Sequence, residues 1–227
     1  MRASDTSDAV AVYCGSSLGK HAAFSTAAKS VGYALAAADR TLVYGGGSKG
    51  IMGVVSGSVL EKGGKVIGVI PQAMIAAGGE KDKLEDGSPR AVLEELGREA
   101  VETILVESMH ERKVEMAKRV NGFIGLPGGF GTFEEVMEVT TWTQIGIHDK
   151  PVVLLNVLSF WDPLRVLIKN SIDAGFIRPT SERLIVFVDG PEDKVEHEFF
   201  DWGRAALHAL DSWERGSSNG LFKWTKT

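Results

Sequence analysis

Leu126-Pro127-Gly128-Gly129-Phe130-Gly131-Thr132-Phe133-Glu134-Glu135 is the stretch from which the chain is most readily understood. The apolar run Gly122 to Leu126 before it reads as a short buried strand, and the residues from Phe133 to Ile145 place Phe133, Val136, Met137 and Thr140 at helical spacing. The glycines therefore fall where a strand becomes a helix, and the helix is expected to open with two carboxylates. Glycines let backbone N–H groups approach a ligand closely, and a helix start adds unpaired donors and a positive dipole end. The combination suits a phosphate. A plain strand-to-helix turn would need only one glycine and an N-cap, and that reading stays open on the pattern alone.

Working outward, the same alternation recurs. Ala9 to Cys14 is a continuous apolar run ending in Gly15-Ser16-Ser17-Leu18-Gly19, followed by an alanine-rich helix over 22–38. Thr41 to Tyr44 is a second strand, leading through Gly45-Gly46-Gly47-Ser48-Lys49-Gly50 into a helix ending near Glu61. Lys65 to Ile70 is a third strand, stopped by Pro71. From Gln72 to about Val101 the pattern lapses into a surface excursion with a short helix around 91–96. Further strands are expected over 103–106, 151–156 and 183–188, and helices over 109–120, 162–174 and 191–213. Strand–helix alternation along the whole chain predicts a Rossmann-like three-layer α/β sandwich, with a mostly parallel sheet of about seven strands. Ligands in such sheets sit at the carboxyl ends of strands where the strand order reverses. The glycine loops at 15–19, 45–50 and 128–131 are expected to meet there. Residues 9–214 are read as one nucleotide-binding domain, with a flexible start over 1–8 and a polar tail over 215–227.

Composition bounds the function. The chain has 227 residues, 44% of them hydrophobic and 24% charged, which fits a globular protein with a substantial core. A net charge of −5 argues against a protein that coats nucleic acid. One cysteine, Cys14, excludes internal disulfides and reads as core. The polar, acid-bearing start is unlike a targeting peptide, and no apolar run has membrane-spanning length, so a cytoplasmic protein is expected.

Gly45, Gly47 and Gly50 satisfy the dinucleotide spacing G-x-G-x-x-G, but Pro71-Gln72 stands where that fingerprint wants an acid for the ribose. No Gly-Lys-Ser/Thr follows a glycine loop. Ser108 is a candidate N-cap for a helix on which Met109, Arg112, Lys113 and Met116 share a face, a pairing of cations and methionines suited to an anionic ligand with a flat apolar base. An ordinary surface helix with a Glu115–Arg119 pair is the competing reading. His110 reads as solvated or capping and His148 as a turn residue; no residues have zinc-ligand spacing. Glu134 and Glu135, adjacent on a helix, face different ways and cannot share one role.

Pro127 to Glu135 matches PGGxGTxxE, and with Met109-His110-Glu111-Arg112-Lys113 it resembles the LONELY GUY family of cytokinin-activating phosphoribohydrolases. The resemblance extends over Cys14 to Ser17, Val43 to Gly47, Thr141 to Pro151 and Leu154 to Asn156. It implies hydrolysis of cytokinin nucleoside 5′-monophosphates to free base and ribose 5-phosphate by a homodimer that needs no cofactor or metal. It also implies catalytic positions for Arg112 and Glu135, and substrate contacts from Met109, Arg112, Lys113, Gly129, Phe130, Gly131, Thr132, Glu135 and Thr141. The segment over 72–101 is longer than the resemblance leads one to expect and falls where a further glutamate contact is usual, a place Glu80 is not assigned. A non-catalytic nucleotide carrier using the same loop is the alternative reading.

Overall fold

The computed structural model describes residues 8–76 and 100–214. The expectations for the start of the chain, the helix around 91–96, Glu80 and the tail lie outside the described residues. Seven strands form one sheet: β1 (Ala9–Tyr13), β2 (Thr41–Tyr44), β3 (Val66–Pro71), β4 (Val101–Val106), β5 (Gly122–Gly125), β6 (Val152–Leu155) and β7 (Ile185–Val188). Their order is β4-β3-β2-β1-β5-β6-β7, and every pairing is parallel. The order reverses at β1, so the loops leaving β1 and β5 part to opposite faces and leave a crevice between them.

Side chains alternate across the sheet because successive residues of a strand point to opposite faces. Val10, Val12 and Cys14 join a core with α1 (Ala22–Ala37), α2 (Gly50–Glu61) and α7 (Trp202–Asp211). Ala9, Ala11 and Tyr13 join the other core, with α4 (Met109–Arg119) and α5 (Phe130–Gln144). Helix α3 (Gln72–Ala76) follows β3, and α6 (Asp162–Asp173) has Pro163 in its first turn, where a missing N–H costs least. The sandwich is therefore as expected. Among the described residues no helix is long and apolar enough to cross a membrane.

Three local expectations are corrected. Helix α5 begins at Phe130, with Gly129 as N-cap, so Gly131 and Thr132 lie in its first turn and the two glutamates do not open it. Glycine's poor helix propensity places the start too late on sequence grounds; burial of Thr132 against the core overrides that preference. The single helix over 191–213 is broken. A 3-10 turn, Lys194–Glu198, is capped by Asp193, and a separate α7 is capped by Asp201. Trp202, whose indole N–H donates to the His197 carbonyl at 2.9 Å, is buried, while Val195 and Phe199 face outward. Pro71 does not stop β3 but ends it in register with Val106, where a residue without an N–H is tolerated at the strand terminus.

Candidate active site

The three glycine loops meet at the carboxyl rim and are stitched together by main-chain bonds. Gly15 N–H donates to the Pro127 carbonyl at 3.1 Å, and Ile51 and Met52 N–H donate to the Gly15 carbonyl at 3.1 and 3.3 Å. Gly50 has φ +59°, and a Cβ there would strike the Ser16 carbonyl; only glycine lets α2 start this close to the first loop. Between the loops lies a cavity of about 280 Å³ whose lining includes Gly15, Gly45 to Gly47, Met109, Arg112, Gly129 to Thr132 and Glu135.

One wall is the amino end of α5. Gly129 offers no side-chain cap and no acid stands in the first turn, so among the described residues no cap or first-turn carboxylate competes for the N–H groups of Phe130, Gly131 and Thr132 at the positive end of a 15-residue helix. The opposite wall comes from α4. Its start is fixed by Ser108, which accepts from Glu111 N–H at 3.0 Å, while the Glu111 carboxylate reaches back to Glu107 N–H at 2.7 Å. That cap directs Arg112 under the rim: its Nε donates to the Val69 carbonyl at 3.2 Å, and its Nη1 lies 3.1 Å from Glu135 Oε1. A Cβ at Gly45 would collide with Arg112 Nη2, so the second glycine loop makes room for the guanidinium.

Glu135 is buried at 9% exposure. Burial pushes its pKa up to about 7; Arg112 opposes the rise, Glu134 adds to it, Lys113 opposes it and Glu138 adds to it. A carboxyl poised near neutrality inside a cavity, held by an arginine, is a group suited to chemistry rather than to solubility. An apolar wall of Met52, Ile70, Met74 and Met109 completes the space. Met52, Ile70 and Met74 escaped the sequence reading. Their only signal is position, at strand ends and in the first turns after them.

Of the expected site residues, Met109, Arg112, Gly129, Phe130, Gly131, Thr132 and Glu135 are brought together. Lys113 and Thr141 do not line the cavity. Lys113 Nζ lies 2.6 Å from Glu134 Oε1 and 3.0 Å from Glu138 Oε1, and Thr141 Oγ1 donates to the Met137 carbonyl at 2.8 Å on the outer side of α5. The shared face expected on α4 is thus divided, with Met109 and Arg112 at the cavity, Lys113 turned to α5 and Met116 in the core. Glu134 and Glu135 take separate partners, as their adjacency required. The Glu115–Arg119 pair forms at 3.0 Å. His148, read as a turn residue, lies in the loop after α5 with its ring buried against Phe123 and Trp142, and burial lowers its pKa to about 3.

The family profile described as "Possible lysine decarboxylase" matches residues 52–197. A probable cytokinin riboside 5′-monophosphate phosphoribohydrolase of Oryza sativa subsp. japonica is 44% identical over 187 residues, 82% of this chain and 70% of that protein. A cytokinin riboside 5′-monophosphate phosphoribohydrolase of Arabidopsis thaliana is 45% identical over 185 residues, 82% of this chain and 73% of its own length. The solved molybdenum cofactor carrier protein of Chlamydomonas reinhardtii has the same fold, with a TM-score of 0.52 at 21% identity over 80% of this chain and 89% of that one. At that identity the likeness concerns architecture alone. Sequence identity over four-fifths of its length, together with the PGGxGTxxE stretch at the cavity, makes this chain a member of the LONELY GUY family of cytokinin riboside 5′-monophosphate phosphoribohydrolases.

Proposed function

We propose that this protein hydrolyses the N-glycosidic bond of nucleoside 5′-monophosphates with an N6-modified adenine, releasing the base and ribose 5-phosphate. The observation that carries the reading is the Arg112–Glu135 pair at 3.1 Å, set in a cavity that faces an uncapped helix N-terminus. The 5′-phosphate docks on the N–H groups of Gly131 and Thr132. The base lies along the methionine wall with Met109, and Phe130 at the rim covers it. Cleavage develops oxocarbenium character on the ribose, which the ionised Glu135 carboxylate stabilises while it orients the attacking water. Arg112, always protonated, fixes that carboxylate in place. Binding energy at the phosphate holds the bond over Glu135, so nucleosides without phosphate turn over poorly.

The decarboxylase description of the family profile fits this cavity badly. Pyridoxal chemistry needs a lysine at the reaction centre, and among the described residues no lysine lines the cavity. Lys150, whose pKa burial lowers to about 8, donates instead to the Ala117 carbonyl at 2.6 Å on the far side of α4.

The protein is taken to act as a cytoplasmic homodimer, in keeping with its family and with exposed apolar side chains such as Phe176, Val166 and Leu167. Incubation with isopentenyladenosine monophosphate and with AMP, followed by chromatography for free base, tests the activity. Nucleotide retained through purification with no base released from either substrate would make it a carrier.

A further inference from the structure

Leu158 and Ser159, in the turn after β6, both hold left-handed backbone, with φ of 54° and 63°. Residues with a Cβ seldom adopt that region, and two in succession persist only where their surroundings impose it, as at ligand clamps and active sites. The chemistry proposed above makes no use of this turn.

Its surroundings are specific. Asn156 fixes the near end: Nδ2 donates to Asp162 Oδ1 at 2.8 Å and to Asp189 Oδ1 at 2.7 Å, while Oδ1 accepts from Trp161 N–H at 2.8 Å. Ser159 and Phe160 N–H close locally on the Asn156 and Val157 carbonyls, each at 3.1 Å. Leu158 N–H instead donates to Nδ1 of His197, at 3.0 Å, on the 3-10 turn Lys194–Glu198. His197 Nε2 lies 2.8 Å from the Pro191 carbonyl. A carbonyl only accepts, so Nε2 carries the ring proton and Nδ1 is left as the acceptor that Leu158 needs. The imidazole is buried, with its centroid 5.3 Å from that of Trp202.

The turn sets two rings against α5. Phe160 lies 6.1 Å and Trp161 5.7 Å from Phe133, centroid to centroid, and Phe133 directly follows Thr132. Phe160 also meets Phe24 of α1 edge-on at 6.3 Å. With Pro127, Gly128 and Gly129 it lines a hollow of about 290 Å³ beside the loop that becomes α5. Gly129 gives α5 no side-chain cap, and the rings packed on Phe133 fasten its first turn instead.

From this arrangement we infer that His197 and Phe160 are positioning residues for the phosphate-holding end of α5. His197 keeps Leu158 and Ser159 left-handed, the turn delivers Phe160 and Trp161 to Phe133, and the N–H groups of Gly131 and Thr132 thereby stay aimed at the 5′-phosphate. The inference rests on the phosphate site assigned above; neither His197 nor Phe160 lines the catalytic cavity.

The test measures AMP binding by calorimetry, and kcat and KM for base release from isopentenyladenosine monophosphate. The proteins are the full chain, His197→Leu, His197→Asn, Phe160→Ala and the double variant His197→Leu with Leu158→Gly. His197→Leu removes the acceptor and Phe160→Ala the ring; each should weaken AMP binding and raise KM by about tenfold, with kcat held within about threefold. Asparagine places an acceptor oxygen where the imidazole Nδ1 stood, and glycine takes the left-handed turn unaided. His197→Asn and the double variant should therefore recover most of the affinity. Unchanged AMP binding in Phe160→Ala, or in a folded His197→Leu, would overturn the inference. Weakened binding that neither asparagine nor Leu158→Gly restores would reduce His197 to a core residue and overturn it equally. Phe160 is only half-buried, so Phe160→Ala carries the test if His197→Leu does not fold; a fall in its kcat as large as its rise in KM would mark general loosening and overturn the inference. Calorimetry reads binding without turnover, so absence of base release from the unaltered protein would count against the hydrolase reading alone.

Discussion

Arg112 Nη1 and Glu135 Oε1 lie 3.1 Å apart across the gap between α4 and α5, with each side chain only 11% exposed. The cation is within ion-pairing distance, yet burial outweighs its attraction and pushes the carboxyl's pKa up to about 7. The pair is a loaded arrangement, with its charge available to a substrate that develops positive character beside it.

Replacing Glu135 with Gln keeps its shape and removes its charge. Turnover should fall by about a hundredfold or more, the order lost with a key electrostatic group in other active sites. Nucleotide binding should persist, measured by calorimetry with AMP. Full activity in this variant would exclude the assignment.

Arg112→Lys tests the fork geometry. A lysine cannot both donate to the Val69 carbonyl and reach the Glu135 carboxylate. Arg112→Ala goes further and leaves a buried carboxylate without its cation, at a cost of about 3–5 kcal/mol at neutral pH unless the carboxyl takes up a proton. The acidic limb of activity should therefore rise above 7 in the alanine variant, and denaturant melts above and below that pH should show the stability loss concentrated on the alkaline side.

Stability against pH has two opposed contributions. Glu135 titrates near 7 folded against 4.5 unfolded, so the folded state holds the extra proton in that window and this contribution falls as pH rises through it. His148 titrates near 3 folded against 6.5 unfolded, so the unfolded state holds the extra proton and its contribution is lost as pH falls below 6.5. Glu135→Gln should flatten the loss on the alkaline side, and His148→Gln the loss on the acid side. Thermal melts between pH 4 and 8 separate the two; identical pH slopes in all three proteins would contradict both shifts.

Gly131→Ala separates folding from binding. A Cβ there meets nothing within 4 Å, and the residue lies inside α5, so the exchange should stabilise the helix by roughly 0.5–1 kcal/mol. The same methyl stands in the phosphate's approach to the helix end, and KM should rise about tenfold or more. At Gly45 the methyl strikes the Arg112 guanidinium instead, so Gly45→Ala should lower kcat with the larger effect. A raised melting temperature with unchanged KM for Gly131→Ala would move the phosphate elsewhere.

Much of the fold could be read from residue patterns. Thr41 to Tyr44 is buried throughout because both faces of that strand are covered, and the expected bounds match β2. The helix over 191–213 failed because two aspartates, Asp193 and Asp201, cap separate elements, and only the packing of Trp202 shows where the chain must turn. At the site, the glycine loops were legible from type and spacing, while the resemblance to the family was what singled out Arg112 and Glu135. Met52, Ile70 and Met74 were not legible, since an apolar residue at a strand end looks the same whether it lines a cavity or a core.

By itself the sequence determined the alternation of strands and helices, the placing of three glycine loops at strand ends, and the separation of Glu134 from Glu135, because burial on two faces and helical phase are local properties. Tertiary structure decided which way the charges of α4 face. Met116 and Ala117 lock that helix onto the sheet, and their burial turns Arg112 under the rim and Lys113 toward α5. It also decided that Glu135 titrates near neutrality, because the low-dielectric surroundings responsible come from residues far apart in the chain.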